Sequence, residues 1–366
     1  LPSRSRFRIV PERRSVSAHR HDDSDSRAHP TPEGSIDVIT DQHPLHTRTT
    51  AGFTASSTAS DVLAGVDLTG RNVVVTGGHG RLGRETSLAL AAAGASVTVA
   101  SRDTDRAAAA VDGIPGVRVE PLDLTDPASI DAFAARWTAS GRPLHALVNN
   151  AAMLFTPDRR VDSRGNEMAF STSHLGHFQL TRALVPALLE ARGARVLTVT
   201  SGAARSGRIR WDDLAFADGY DAAAAYGQSK RANVLFTVEL DRRYAEQGIR
   251  AFAAHPGVVI GPGPHDPSRI ASYREQGLVD DRGVTVIDPE GGKKTIEQGA
   301  ATLVFGAASP LLDGIGGVYL KDNDVAVIDD EVRPLTADSV PADANSAMLD
   351  ADDARRLWEV SERLLA

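Results

Sequence analysis

The segment Thr76-Gly77-Gly78-His79-Gly80-Arg81-Leu82-Gly83 constrains the fold of this chain more than any other. It follows a β-branched run, Asn72-Val73-Val74-Val75-Thr76, and leads into an Ala/Leu-rich stretch at 82–93 that Gly94 stops. The run predicts a buried strand, and the stretch predicts a helix closed by a C′ glycine. Glycines at such a junction let the backbone turn tightly and approach a pyrophosphate, which then rests on the helix N-terminus. The junction is therefore a candidate dinucleotide site, with an ordinary tight turn as the alternative.

The alternation continues beyond it. Predicted strands at 96–100, 117–122, 144–148, 195–200, 249–254 and 318–320 are separated by predicted helices at 104–111, 127–138, 166–191, 224–246 and 295–306. Strand–helix alternation with continuous apolar strands implies an α/β, doubly wound parallel sheet with helices on both faces. A further helix is predicted at 350–364, after an acidic linker. Residues 1–60 are rich in Arg, Ser, Thr, His and Pro and show no apolar periodicity, and so are expected to be a disordered extension. The organisation read from this is an extension at 1–60, one dinucleotide-binding catalytic domain at 61–325, and a C-terminal linker and helix at 326–366.

Composition removes several function classes. A net charge of −8 disfavours nucleic acid as the main partner. The absence of cysteine excludes disulfides, thiolate nucleophiles, Fe–S clusters and cysteine zinc sites, and fits a cytoplasmic protein. No apolar run approaches the roughly 18 residues of a membrane span. Five of the eleven histidines lie before residue 60, at irregular spacing, and no metal site is expected.

Lysine is scarce: only Lys230, Lys293, Lys294 and Lys321 among 40 basic residues. One of them closes Tyr226-Gly227-Gln228-Ser229-Lys230, where phenol and ammonium share a helix face. A phenol titrates near pH 10, about three units above neutrality, and a nearby ammonium favours its anion. Ser201 closes the fifth strand, at the sheet edge where ligands bind; its hydroxyl is placed to orient a substrate oxygen or to cap a turn. The second strand ends in Ser101-Arg102, where an acidic residue would select NAD; a guanidinium there suits a 2′-phosphate, and NADP is preferred, with NAD as the alternative. Asp123 and Leu124 after the third strand are candidates for the adenine. Asn149-Asn150-Ala151-Ala152 after the fourth and Pro256-Gly257 after the sixth are candidates for the nicotinamide side.

In this order, these residues resemble the short-chain dehydrogenase/reductase family over most of the chain. His174-Leu175-Gly176-His177-Phe178, Ala232-Asn233-Val234-Leu235-Phe236-Thr237 and His255-Pro256-Gly257-Val258-Val259 are similar to the retinol-dehydrogenase and WW-domain-oxidoreductase branch. The resemblance implies a Rossmann fold of about seven strands and reversible hydride transfer between NADP(H) and a small carbonyl or alcohol. It makes Tyr226 the general acid/base, Lys230 its activator and ribose holder, and Ser201 the carbonyl-orienting donor. It implies cofactor contacts from Gly77, Gly78, Arg81, Leu82, Gly83, Asn149, Ala151, Pro256 and Gly257, and leaves a homo-oligomer open. Four positions depart from the family pattern. Arg81 replaces its middle glycine, Ser173 replaces an Asn of the proton relay, Gly261 replaces a Thr near the nicotinamide, and Ala152 replaces a glycine. The first three motivate a second reading: a dinucleotide-binding sensor or scaffold with little or no turnover.

Overall fold

Val73 and Val75 of strand β1 (Asn72–Thr76) are buried on one face of a sheet and Val74 on the other. A strand covered on both faces must be apolar at consecutive positions, so the run shows no alternation. The computed structural model describes residues 46–49, 52–333, 336 and 340–366. Seven further strands follow: β2 (Ser96–Ser101), β3 (Val117–Pro121), β4 (Ala146–Asn149), β5 (Ala194–Val199), β6 (Ile249–His255), β7 (Val318–Lys321) and β8 (Asp324–Val325). They form one eight-stranded sheet in the order β3-β2-β1-β4-β5-β6-β7-β8. The first seven strands are parallel, as predicted; β8 adds an antiparallel edge. Asp322 and Asn323, with φ of 53° and 63°, turn the chain back within two residues, the left-handed geometry of a tight hairpin that Asp and Asn tolerate.

Helices α1 (Ala59–Val62), α2 (Arg81–Ala92) and α3 (Thr104–Ala110) cover one face, together with a later helix, α10 (Ile296–Ala308). The other face carries α4 (Pro127–Ala139), α6 (Gly176–Glu190) and α8 (Ala222–Tyr244). Short helices α5 (Met168–Phe170), α7 (Ala203–Ser206) and α9 (Pro267–Glu275) lie between strand ends and the larger helices. The single helix expected at 166–191 is α5 and α6 joined by a π-helical turn, Ser171–Leu175. Because β1 lies between β2 and β4, the strand order reverses at its carboxyl end, the crevice in which such sheets bind ligands.

The expected boundary between residues 60 and 61 falls inside α1. Thr58 caps that helix, Ala55 and Ala59 are buried, and Asn323 donates to the Thr54 carbonyl at 2.8 Å. Residues 52–60 thus belong to the folded unit, while 1–45 and 50–51 of the expected extension lie outside the described residues. The C-terminal helix α11 (Ala351–Leu365) packs into the same core. Its Trp358 sits 4.8 Å from the Phe178 ring and 5.9 Å from the Phe236 ring, and Ser361 meets His174 at 2.8 Å. The aromatic stripe of α6 and α8 is therefore covered by the chain's own terminus. Among the described residues no helix is long and apolar enough to cross a membrane.

Candidate active site

The glycine turn is built from close approaches. Gly77 has φ +62°, and a Cβ there would lie 3.1 Å from that of Ala151; a Cβ on Gly83 would lie 2.6 Å from both the Asn150 amide nitrogen and the Gly77 carbonyl. Neither position has room for a side chain. Gly78 also has a packing role: a Cβ there would lie 2.9 Å from Ser87 and Val99, so its absence lets α2 close against β2. Helix α2 begins at Gly80 without a side-chain cap, which leaves the first N–H donors, at Arg81, Leu82 and Gly83, for a ligand. Arg81 reaches across to donate to the Ile260 carbonyl, beside Gly261.

Beyond β2, Ser101 donates to the Asp103 carbonyl at 3.0 Å, and Arg102 is exposed on the cleft wall with no hydrogen bond or ion pair among the described residues. His79 and Arg106 share its surroundings. Burial first, then the Arg106 charge, lowers the His79 pKa, and its buried Nδ1 has no partner. The sequence reading missed both His79 and Arg106, although Arg106, in the first turn of α3, was within reach of the Arg102 argument. One oxygen of Asp123 accepts from the Thr125 amide at 2.9 Å and its hydroxyl at 2.7 Å; the residue lines the cleft beside Leu124.

At the end of β4 the two asparagines divide. Asn149 is buried, donates to Thr181 at 3.2 Å and Thr198 at 3.4 Å, and does not line the cleft. Side chains alternate along a strand, so Asn150 faces the cleft instead. It donates to the Thr76 carbonyl at 2.8 Å and ties β4 to the glycine turn.

Thr76 links this corner to the π-turn. His177 is buried, and burial pushes its pKa down to about 4, so the ring is neutral. Its Nδ1 donates to the Ser173 carbonyl at 3.0 Å, which leaves Nε2 to accept from the Thr76 hydroxyl at 2.8 Å. The Thr76 oxygen in turn accepts from the amides of Asn150 at 2.9 Å and Ala151 at 3.0 Å. The Ser173 hydroxyl accepts from the Met153 amide at 3.3 Å and does not line the cleft. The expected relay residue thus braces the Met153 loop.

Ser201 and Tyr226 line the cleft together. Burial raises the Tyr226 pKa, and a hydrogen bond from Ser201 works against it. Lys230 stands behind the ring, its Nζ 5.6 Å from the centroid, donating to the Val199 carbonyl at 3.2 Å. Burial lowers its own pKa to about 8. Desolvation is the largest influence on the phenol, and Lys230 is the ammonium nearest its ring. The Thr200 hydroxyl donates to the Lys230 carbonyl at 2.8 Å, and Asn233 donates to the Val199 carbonyl at 3.0 Å. These bonds clamp the end of β5 to α8 and hold Ser201 beside Tyr226.

Pro256 and Gly257 form the wall after β6; Gly257 has φ +80°, and a Cβ there would meet the buried Lys294 chain at 2.9 Å. Leu154 and Phe155 are more than half exposed on the opposite wall, and the Phe155 ring lies 4.6 Å from that of Tyr226. Tyr273 and Leu278 also line the cleft. The whole cleft encloses about 2390 Å³, more than the roughly 300–1,000 Å³ of one small-ligand pocket. The glycine cradle, the uncapped helix end and the unpaired Arg102 fit a dinucleotide at one end, with Ser201 and Tyr226 at the other.

A doubly wound sheet whose switch-point crevice joins a glycine turn to a Ser/Tyr/Lys cluster defines a nucleotide-dependent oxidoreductase. The short chain dehydrogenase profile matches residues 71–263, and the chain belongs to that family, on the side of the WW domain-containing oxidoreductases and retinol dehydrogenases. It is 44% identical over 308 residues to a Streptomyces lividans protein described as "Probable oxidoreductase", covering 80% of this chain and 97% of that one. It is 34% identical over 340 residues to the human WW domain-containing oxidoreductase, covering 89% and 75%. A solved structure of an uncharacterized protein from Mycobacterium Paratuberculosis superposes with a TM-score of 0.62 at 32% identity, covering 85% of this chain and 97% of that one.

Proposed function

We propose that this dehydrogenase/reductase interconverts a carbonyl and an alcohol with NADP(H), Tyr226 acting as general acid/base. The observation that carries the reading is that Tyr226 and Ser201 line, together, the crevice that begins at the glycine turn. The nicotinamide, when bound, supplies or takes the hydride. In the reducing direction the carbonyl carbon gains that hydride and its oxygen takes the Tyr226 proton; Tyr226 recovers a proton from water. Ser201 donates to the same oxygen as charge gathers on it. Raised by burial, the phenol is held protonated and ready to donate. Arg102, with His79 and Arg106 near it, supports a 2′-phosphate partner, hence NADP over NAD.

Purified protein mixed with NADPH and a panel of aldehydes and ketones tests this. The expected result is NADPH oxidation that falls by about 10²–10⁴-fold in Tyr226→Phe, with cofactor affinity retained. Tight NADPH binding with no turnover of any panel member supports the sensor reading instead, which the Arg81 bridge to the Ile260 carbonyl across the cofactor end favours.

A further inference from the structure

The wall of the cleft beyond Tyr226 carries arginines, most of them neutralised. Arg205 pairs with Asp329 at 3.3 Å, Arg210 with Asp213 at 2.8 Å, and Arg333 with Glu331 at 2.7 Å. Two are not. Arg231, on the turn of α8 after Tyr226, is only 8% exposed, yet it donates to nothing stronger than the Ala204 carbonyl at 3.2 Å and the Asn345 side chain at 3.5 Å. Asp350 and Asp353 act on it through space without forming an ion pair. Arg208 has no hydrogen bond or ion pair among the described residues, and its charge opposes that of Arg231. A buried guanidinium held only by long bonds to a carbonyl and an amide, with its carboxylates outside ion-pair distance and a second cation near it, is costly unless an anion completes the site.

The two arginines sit close to the reacting group. Gly207, next to Arg208, has no room for a side chain because it packs against the Gly227 backbone, next to Tyr226. Leu154 and Phe155, exposed and apolar, line the same cleft, with the Phe155 ring 4.6 Å from that of Tyr226.

Building on the hydride-transfer reading above, we propose that the substrate is an amphipathic anion: a carbonyl or alcohol on an apolar body that packs against Leu154 and Phe155, with a carboxylate held by Arg208 and Arg231. A fork-shaped cation pairs with a carboxylate through two parallel bonds. An acid near the carbonyl is therefore what distinguishes the substrate from a neutral aldehyde of the same size.

The test compares 4-formylbenzoate with its methyl ester, first by calorimetric titration of the full chain without cofactor, so that the readout does not depend on chemistry. The carboxylate is expected to bind at least tenfold more tightly, and the preference to fall toward unity in Arg208→Ala and in Arg231→Leu. Arg208 is exposed, so its variant keeps the test open if the buried Arg231 change prevents folding. Equal binding of acid and ester, no binding of either, or a preference that survives Arg208→Ala overturns the proposal. Turnover is measured separately with NADPH. Preferred binding of the acid with no NADPH oxidation leaves the anion site standing and counts against the hydride-transfer reading; equal kcat/KM for acid and ester does the reverse.

Discussion

The two ends of the cleft are made of different materials. The cofactor end is built of backbone: the Gly77 and Gly83 main chain, the free N–H groups opening α2, and carbonyls and amides tied together through Thr76 and Asn150. The substrate end is built of side chains from distant segments, among them Leu154, Phe155, Arg208, Tyr226 and Arg231. Backbone geometry admits little change, because an added Cβ meets an atom that cannot move. Side chains from separate loops vary freely around a fixed frame. The cofactor end is therefore fixed by close backbone packing, and the substrate end by side chains that can change without disturbing it.

Substitutions at the two ends should divide accordingly. Gly83→Ala places a methyl group 2.6 Å from a backbone oxygen and is expected to lower stability by about 1–3 kcal/mol and NADPH affinity by about tenfold or more. Leu154→Ala, at the other end, should leave NADPH affinity unchanged and raise KM for an aldehyde. Fluorescence titration with NADPH separates the two, and a weakened affinity in Leu154→Ala would break the division. Arg102→Asp should shift the ratio of kcat/KM for NADPH over NADH by about 10- to 100-fold toward NADH, from the loss of one charge-assisted contact of about 1.5–3 kcal/mol. An unchanged ratio removes the 2′-phosphate argument.

Acid should act on both ends at once. Burial holds His174 and His255 down to about 3 and His177 to about 4. Below pH 6.5 the unfolded chain takes up protons that the fold excludes, so stability falls as pH drops. The slope approaches about 1.4 kcal/mol per pH unit for each histidine until its folded pKa is reached. Urea midpoints at pH 7 and pH 5 measure it; a flat profile would mean that these rings are not buried neutral. The smallest expected effect sharpens the contact between the two ends. Thr76→Val and His177→Phe should show a coupling energy of about 1 kcal/mol in a double-mutant cycle, since each removes one side of the same 2.8 Å bond. Additive losses would show that the bond does not link glycine turn and π-turn.

Much of the frame was legible from short stretches. The strands at 72–76, 96–101 and 249–255 and the glycine turn each announce themselves within a few residues, because local periodicity and glycine position carry them. The parts that were not legible depend on neighbours far along the chain. The identity of Asn150 rather than Asn149 as the cleft residue turns on which side of β4 faces Thr76. Gly78 is spent on packing because Ser87 and Val99 close over it. The π-turn at Ser171–Leu175 interrupts a stretch whose pattern reads as one helix, and the Ser173 carbonyl finds its partner in the His177 ring.

By itself the sequence determined the alternating strands and helices, the parallel sheet, the place of the glycine turn and the pairing of Tyr226 with Lys230 on one helix face. These follow from intervals of a few residues, over which backbone geometry is nearly invariant. Only the tertiary structure decided which charges form no ion pair, that the Tyr226 phenol is desolvated, and that α11 covers the stripe on α6 and α8. Desolvation and ion pairing depend on atoms brought together across the whole chain, and no local spacing encodes that sum.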